Sequence, residues 1–138
     1  MTEKTVYIQG TWDLFHVGHL NILRKSYEIS GRLIVGINTD ESVKRYKGCL
    51  PVIPYDDRVV IMGACIYGQK LIKSELILNA NQMKKYGIEI CVLGSDWKDK
   101  KLEGRQEVLD AGIEIRYLPY TERISTTMIK EHIRGEKD

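Results

Sequence analysis

Two histidines three positions apart, His16 and His19, flank Gly18 in the stretch GTWDLFHVGH that runs from Gly10 to His19. A short β-rich run, Thr5 to Gln9, precedes them. An amphipathic run, Gly18 to Ser30, follows, with Leu20, Ile22, Leu23 and Tyr27 at helical spacing. The pair therefore stands where a strand hands over to a helix. The unpaired N–H groups and the positive dipole end of a helix start make such a junction a natural phosphate site. Two imidazoles there can donate to phosphate oxygens as negative charge builds, and Gly18 allows a phosphate close to the backbone. No acidic residue follows His16, so the HExxH zinc pattern is absent and no protein-held metal is expected. A histidine near a helix start also commonly caps or packs, and the motif alone leaves that alternative open.

Other residues of the right chemistry fall at similar junctions. Ser125, Thr126 and Thr127 open the last amphipathic run, where hydroxyls and backbone N–H groups suit a phosphate, although Ser125 is equally an ordinary N-cap. Lys44, Arg45 and Lys47 precede Gly48. On composition they form a solvated charge cluster. A lysine there also offers a mobile point charge that can follow phosphate oxygens. Asp13 reads either as a support of its loop or as a plain loop carboxylate. Trp97, in LGSDW, reads as a packing residue on chemistry alone.

These residues need a scaffold, and the pattern around them supplies one. Arg32 to Ile37, Lys70 to Lys73, Ile88 to Leu93 and Ile113 to Leu118 read as further strands. Helices are predicted over Gly18 to Ser30, Asp56 to Tyr67, about Ser74 to Tyr86, Glu107 to Ala111 and Ser125 to Arg134. Asn38 to Tyr55, broken by Gly48, Pro51 and Pro54, reads as a long loop with at most one helical turn. The alternation implies an α/β fold: a doubly wound, mostly parallel five-stranded sheet with helices on both faces, Rossmann-like in plan. Ligands of such sheets bind beyond the carboxyl ends of the strands, which directs attention to 10–18, 94–104 and 119–127.

Composition bounds the rest. The 138 residues make one domain's worth of chain, taken here as a single domain over 1–138, with 43% hydrophobic and 29% charged residues. No apolar run spans a bilayer and no secretory signal is seen, so a cytoplasmic protein without membrane insertion is expected. A net charge of +2 does not argue for nucleic acid as a partner. Cys49, Cys65 and Cys91 are odd in number, widely spaced and without a CxxC pair, and read as reduced thiols.

The Gly10–His19 block resembles the HxGH signature of the nucleotidyltransferase superfamily that includes the cytidylyltransferases, typically GTFDxxHxGH after the first strand. Trp12 stands where that family usually has Phe. YTERISTT, Tyr120 to Thr127, is similar to the family's second signature, RTEGISTT, with Tyr120 in place of the leading Arg and Arg123 in place of Gly. The resemblance extends from Thr5 to about Arg134 and implies specific roles. His16 and His19 would stabilise the α-phosphate of a nucleoside triphosphate and the departing pyrophosphate, with Lys47 as the mobile catalytic cation. Gly10, Thr11, Trp12, Asp13, Gly18, Lys44, Ser125, Thr126 and Thr127 would build the nucleotide site. Arg123 would supply the charge missing at Tyr120, Asp96 and Trp97 would meet base and ribose, and Asp40 and Arg58 the second substrate.

The expected activity is transfer of CMP from CTP to a small phosphorylated alcohol, with release of pyrophosphate. The last loop is similar to cytidylyltransferases that activate glycerol 3-phosphate, the leading acceptor. VKRYKG followed by PVIP and Arg58, and EGRQEV, instead resemble an adenylyltransferase domain that activates a heptose 1-phosphate. A nucleotide-binding module without turnover is the third reading. Mg²⁺ bound to the nucleotide and a homodimer are expected by resemblance.

Overall fold

The computed structural model describes residues 3–135. The five apolar runs become β1 (Val6–Gly10), β2 (Leu33–Asn38), β3 (Lys70–Ser74), β4 (Ile90–Gly94) and β5 (Glu114–Leu118). They pair in parallel in the order β3-β2-β1-β4-β5. Successive side chains point to opposite faces, so each central strand feeds two cores. Val6, Ile8, Val35, Ile37, Ile90 and Val92 pack on one face with Ile22, Leu23 and Met62. Tyr7, Ile34, Cys91 and Leu93 pack on the other with Met83 and Val108. The first face is covered by α1 (Val17–Ser30) and α3 (Tyr55–Gly63), the second by α4 (Ala80–Lys85) and α5 (Arg105–Asp110). This is the doubly wound α/β sheet the alternation predicts.

Three elements differ from the sequence expectation, each for a local reason. The predicted 38–55 loop contains a helix, α2 (Asp40–Lys47), capped by Thr39, whose hydroxyl accepts from Ser42 N–H, and closed by Gly48 at φ 83°. The expected helix to Tyr67 stops at Gly63. The backbone then folds back so tightly that a Cβ on Gly68 would lie 2.0 Å from the Met62 carbonyl oxygen. The helix expected from Ser74 starts at Ala80, behind the Asn79 cap. The carbonyls of Glu75 and Ile77 before it accept from the Gln9 amide instead of opening a helix. The last helix, α6, spans Thr126–Gly135.

The chain runs outward from β1 to β2 and β3, then returns to place β4 on the other side of β1. The carboxyl ends of β1 and β4 therefore border the topological switch point, the place where such sheets hold their ligands. Gly10 ends β1 there and Gly94 ends β4.

Candidate active site

The loop after β1 is built to be rigid. Trp12 and Leu14 adopt left-handed backbone, φ 57° and 50°, a strained state for residues with side chains. What holds them is visible. Trp12 is buried and its indole donates to the Gly36 carbonyl at 2.9 Å. Its ring lies over Gly10, where a Cβ would come within 2.8 Å of it. The buried Asp13 carboxylate accepts from the backbone N–H of Val52 and Ile53, at 2.8 and 2.9 Å. It thereby pins the 49–54 segment to the loop, and Lys130 Nζ of α6 stands 3.6 Å away.

Arg58, fully enclosed at 1% exposure, underlies the same loop. Its Nη1 donates to the carbonyls of Thr11 and Asn38, at 2.6 and 2.8 Å. Nε donates to Ile53, and Nη2 to Asp40 Oδ1 at 2.6 Å. The other Asp40 oxygen accepts from Tyr55 N–H. Expected as substrate contacts, Arg58 and Asp40 are instead engaged with each other and with the backbone. Arg58, buried, and Asp40, partly exposed and paired to it, form the loop's foundation.

On this foundation the two imidazoles stack, with ring centroids 3.8 Å apart and planes 23° from parallel. His16 is the N-cap of α1: its Nδ1 accepts from Gly18 N–H at 3.0 Å. The His19 Nδ1 accepts from His16 N–H at 3.2 Å, completing a reciprocal box. A neutral imidazole that accepts at Nδ1 carries its proton on Nε2. Both rings are thus fixed as Nε2–H donors, side by side. Neutrality follows from their surroundings. Burial lowers the His16 pKa. Burial, then the neighbouring His16, push His19 down to about 3, against a smaller opposing pull from Asp13. Phe15 and Trp12 complete the apolar setting of the His19 ring, with centroids 5.3 and 5.4 Å away. Gly18 is required by closeness: a Cβ there would sit 2.8 Å from His16 Cε1.

The start of α6 leans on the same loop. Thr126 Oγ1 donates to the Asp13 carbonyl at 2.8 Å, so it meets His16 Nε2, 3.4 Å away, as an acceptor. That second contact is loose, and a phosphate oxygen is a better acceptor for the same N–H. Ser125 caps α6 by accepting from Met128 N–H, which leaves Thr127 exposed beside it. The structure therefore brings Gly10, Thr11, Gly18, His16, His19, Ser125, Thr126 and Thr127 to one end of the sheet. Lys44 and Lys47 lie exposed on α2, and Arg123 is exposed in the turn before α6. Trp12 and Asp13 support the loop from inside. Asp96 sits in a 3-10 turn, Ser95–Trp97, and pairs with Lys100 at 3.6 Å. Trp97 packs half-buried against the second core.

Two further residues border the site, Lys130 without any sequence signal and Tyr120 known from the sequence only as a departure from the second signature. Lys130 reaches Asp13 from one turn inside α6. Tyr120 packs its phenol on Gly94, where a Cβ would fall 2.3 Å from the ring, and so covers the end of β4. Burial, with Asp96 close by, raises the Tyr120 pKa to about 12.

A parallel, doubly wound sheet with paired imidazole donors at the helix start beside its switch point is the arrangement that the resemblance to the HxGH nucleotidyltransferase superfamily implies. The model for cytidylyltransferase-like proteins matches residues 7–132, and the chain belongs to that family. Among curated proteins it is 35% identical over 136 residues to the bifunctional protein HldE of Vibrio parahaemolyticus serotype O3:K6, covering 98% of this chain and 29% of that one. It is 33% identical over 134 residues to HldE of Yersinia pestis (strain Pestoides F), covering 96% of this chain and 28% of the relative. The chain thus spans under a third of the length of these relatives. The fold matches a lipopolysaccharide core biosynthesis protein from Thermoplasma volcanium GSS1 with a TM-score of 0.69 and 20% identity, over 87% of this chain and 98% of that one. No helix among the described residues is long and apolar enough to cross a membrane.

Proposed function

We propose that this nucleotidyltransferase joins the nucleotidyl group of ATP to a sugar 1-phosphate of the heptose type and releases pyrophosphate. A phosphate oxygen of the acceptor forms a bond to the α-phosphorus. The bridging α–β bond breaks, and pyrophosphate leaves with the electron pair. The acceptor is already ionised at neutral pH, so no protein nucleophile is needed, and catalysis is positioning plus charge stabilisation. The observation that carries the reading is the pair of Nε2–H donors, fixed in tautomer and kept neutral before substrate arrives. Preorganised donors of this kind stabilise charge that develops on the phosphorane and the leaving group.

Two further points support this choice of donor and acceptor. The alignment with HldE runs over nearly the whole chain, including the VKRYKG, PVIP and EGRQEV blocks that resemble a heptose-phosphate adenylyltransferase. Tyr120 replaces the arginine of the cytidylyltransferase signature, and its phenol lies on the end of β4. The second reading, CMP transfer from CTP to glycerol 3-phosphate, keeps the support of the ISTT start of α6. The groups at the site are mostly donors, which suit phosphate oxygens. Among the described residues no cluster of three His, Cys, Asp or Glu is placed to hold a cation. Mg²⁺ belongs to this reading by resemblance, as the nucleotide's own counter-ion. A homodimer belongs to the same reading by resemblance and is checked by light scattering.

The test is pyrophosphate release with each nucleoside triphosphate against heptose-type sugar 1-phosphates, glycerol 3-phosphate and amino-alcohol phosphates. Release with ATP and a sugar 1-phosphate is the expected result. Release with CTP and glycerol 3-phosphate selects the second reading. Release with none, alongside measurable nucleotide binding, points to a binding module without turnover.

A further inference from the structure

Three strand ends that lie side by side in the sheet carry a chain of hydrogen bonds that leads into the site. Ser74 ends β3 and Asn38 ends β2, paired in register, and Thr11 follows the end of β1. Ser74 and Asn38 are 3% and 2% exposed. Ser74 Oγ donates to Asn38 Oδ1 at 2.7 Å, and Asn38 Nδ2 donates to Thr11 Oγ1 at 3.3 Å. We infer that Ser74 and Asn38 are positioning residues that orient the Thr11 hydroxyl, leaving its single proton to be donated to a phosphate oxygen of the substrate.

At the far end of the chain, Tyr7 and Gln9 spend their protons away from Ser74. Gln9 spends both amide protons on the carbonyls of Glu75 and Ile77, so its Oε1 must accept, and the Tyr7 hydroxyl donates to it at 2.7 Å. The Tyr7 proton is thus not given to Ser74, although the two oxygens crowd the same spot. A Cβ on Gly36 would lie 2.3 Å from Tyr7 Oη and 2.9 Å from Ser74 Oγ. Burial keeps the Tyr7 phenol protonated throughout the working pH range. The Ser74 proton has two oxygens in reach, Tyr7 Oη and Asn38 Oδ1; at 2.7 Å it is given to Asn38 Oδ1, which turns the Asn38 amide protons toward Thr11. A hydroxyl has one proton. Thr11, once it accepts from Asn38, keeps that proton for an outside acceptor. The backbone cannot drift, because Arg58 Nη1 holds the carbonyls of Thr11 and Asn38 together. A buried polar chain of this kind, satisfied along its length, specifies one arrangement.

This inference rests on the nucleotidyl-transfer reading for the identity of the acceptor, and its test separates the two. Asn38→Asp keeps the shape but replaces the Nδ2 donor by an acceptor, so Thr11 must turn its proton inward. Thr11→Val removes the hydroxyl, and Thr11→Ser restores it. In pyrophosphate release with the wild-type substrates, Asn38→Asp and Thr11→Val are each expected to lower kcat/KM about 10- to 100-fold, the worth of one hydrogen bond to a charged group. Thr11→Ser should recover most of the loss, and Ser74→Ala should lose less than Asn38→Asp. The decisive arm is the double variant: Asn38→Asp should add little in a Thr11→Val background. A full, independent loss there, or a loss tracked only by a lower melting temperature, overturns the relay. If the wild type turns over no substrate, the transferase reading falls. The relay is then read from calorimetric binding of inorganic tripolyphosphate, which Thr11→Val and Asn38→Asp should weaken equally. No binding, or binding unchanged by the variants, overturns it.

Discussion

Two regions that the proposed function draws on are held in opposite ways. The loop after β1 is fixed on every side. Trp12 is bonded to Gly36, Asp13 to Val52 and Ile53, Arg58 to Thr11 and Asn38, and the two histidines cap each other's backbone. Helix α2, which carries Lys44 and Lys47, is exposed from Lys44 onward and held by its Thr39 and Gly48 caps, by buried Ser42 and Val43, and where Asp40 meets Arg58. The rigid region presents neutral donors and the loose region presents cations. Electrostatics explains the division. A dipolar donor is effective only if aimed in advance, since reorienting it costs part of what it stabilises. An ammonium acts as a point charge and can follow its target.

The sharpest way to break this contrast is to delete a donor while sparing the scaffold. His16→Asn keeps an acceptor for Gly18 N–H, as a good N-cap should, and His19→Gln keeps the reciprocal box. Each removes the imidazole Nε2–H, and the amide N–H of the replacement, with its oxygen turned to the backbone, does not occupy the same point. Each is expected to lower kcat about 100- to 1,000-fold, as loss of one preorganised donor does, with circular dichroism and melting temperature close to wild type. A variant that melts early would place the histidines in the scaffold rather than the chemistry. The converse experiment is Arg58→Leu. It leaves the Asp40 carboxylate without its partner and three carbonyls without their donor, in a place where the arginine side chain is wholly enclosed. A loss of about 3 kcal/mol or more is expected from breaking a buried pair in this way, read by urea unfolding, with activity falling only as the fold does.

How far the sequence disclosed this contrast depends on the kind of signal each part leaves. The strands were legible because RLIVGI and IEICVL are nearly unbroken apolar runs, as strands buried on two faces must be. The histidine pair was legible because its spacing, its glycine and its position after a strand agree. Helix α2 was not, since DESVKRYK has Val43 as its one aliphatic residue and shows no apolar stripe. Its stability comes from Thr39 at one end and Gly48 at the other. The buried engagement of Arg58 was not legible for a related reason. An arginine opening a helix after two aspartates looks solvent-facing, and only the tertiary fold shows three carbonyls turned onto it. Lys130 and the Ser74–Asn38 chain left no trace because they act between residues far apart in the chain.

A smaller effect separates the rigid region by pH. The folded His19 holds its pKa near 3, well below the usual 6.5, and His16 is lowered in the same direction. The unfolded chain therefore binds protons that the folded one refuses. The stability this represents is whole above about pH 6.5 and is lost progressively as pH falls toward the folded values, at a slope of up to about 1.4 kcal/mol per pH unit for each proton. Urea unfolding between pH 7.5 and 4.5 should show this decline, and His19→Gln should flatten it. An equal slope in the variant would assign the acid sensitivity to other groups.

The smallest expected effect tests the loose region. Lys47 closes α2 immediately before the left-handed Gly48, exposed and near the negative end of the helix dipole. In the fold its charge is set against that dipole, an effect of about 0.3–1 kcal/mol at most, so Lys47→Met should move the melting temperature only slightly. If its role is to follow the phosphates, its attraction is that of an exposed ion pair, about 1 kcal/mol, or roughly fivefold in the KM for the nucleotide. Added salt should erode that difference, because exposed charges are screened within about 10 Å at 0.1 M. The same salt should leave the loss in His16→Asn almost untouched, since a short, preorganised contact is screened far less. Parallel salt responses in the two variants would mean that the lysine and the histidine act from equally ordered positions, and the distinction between the regions would not stand.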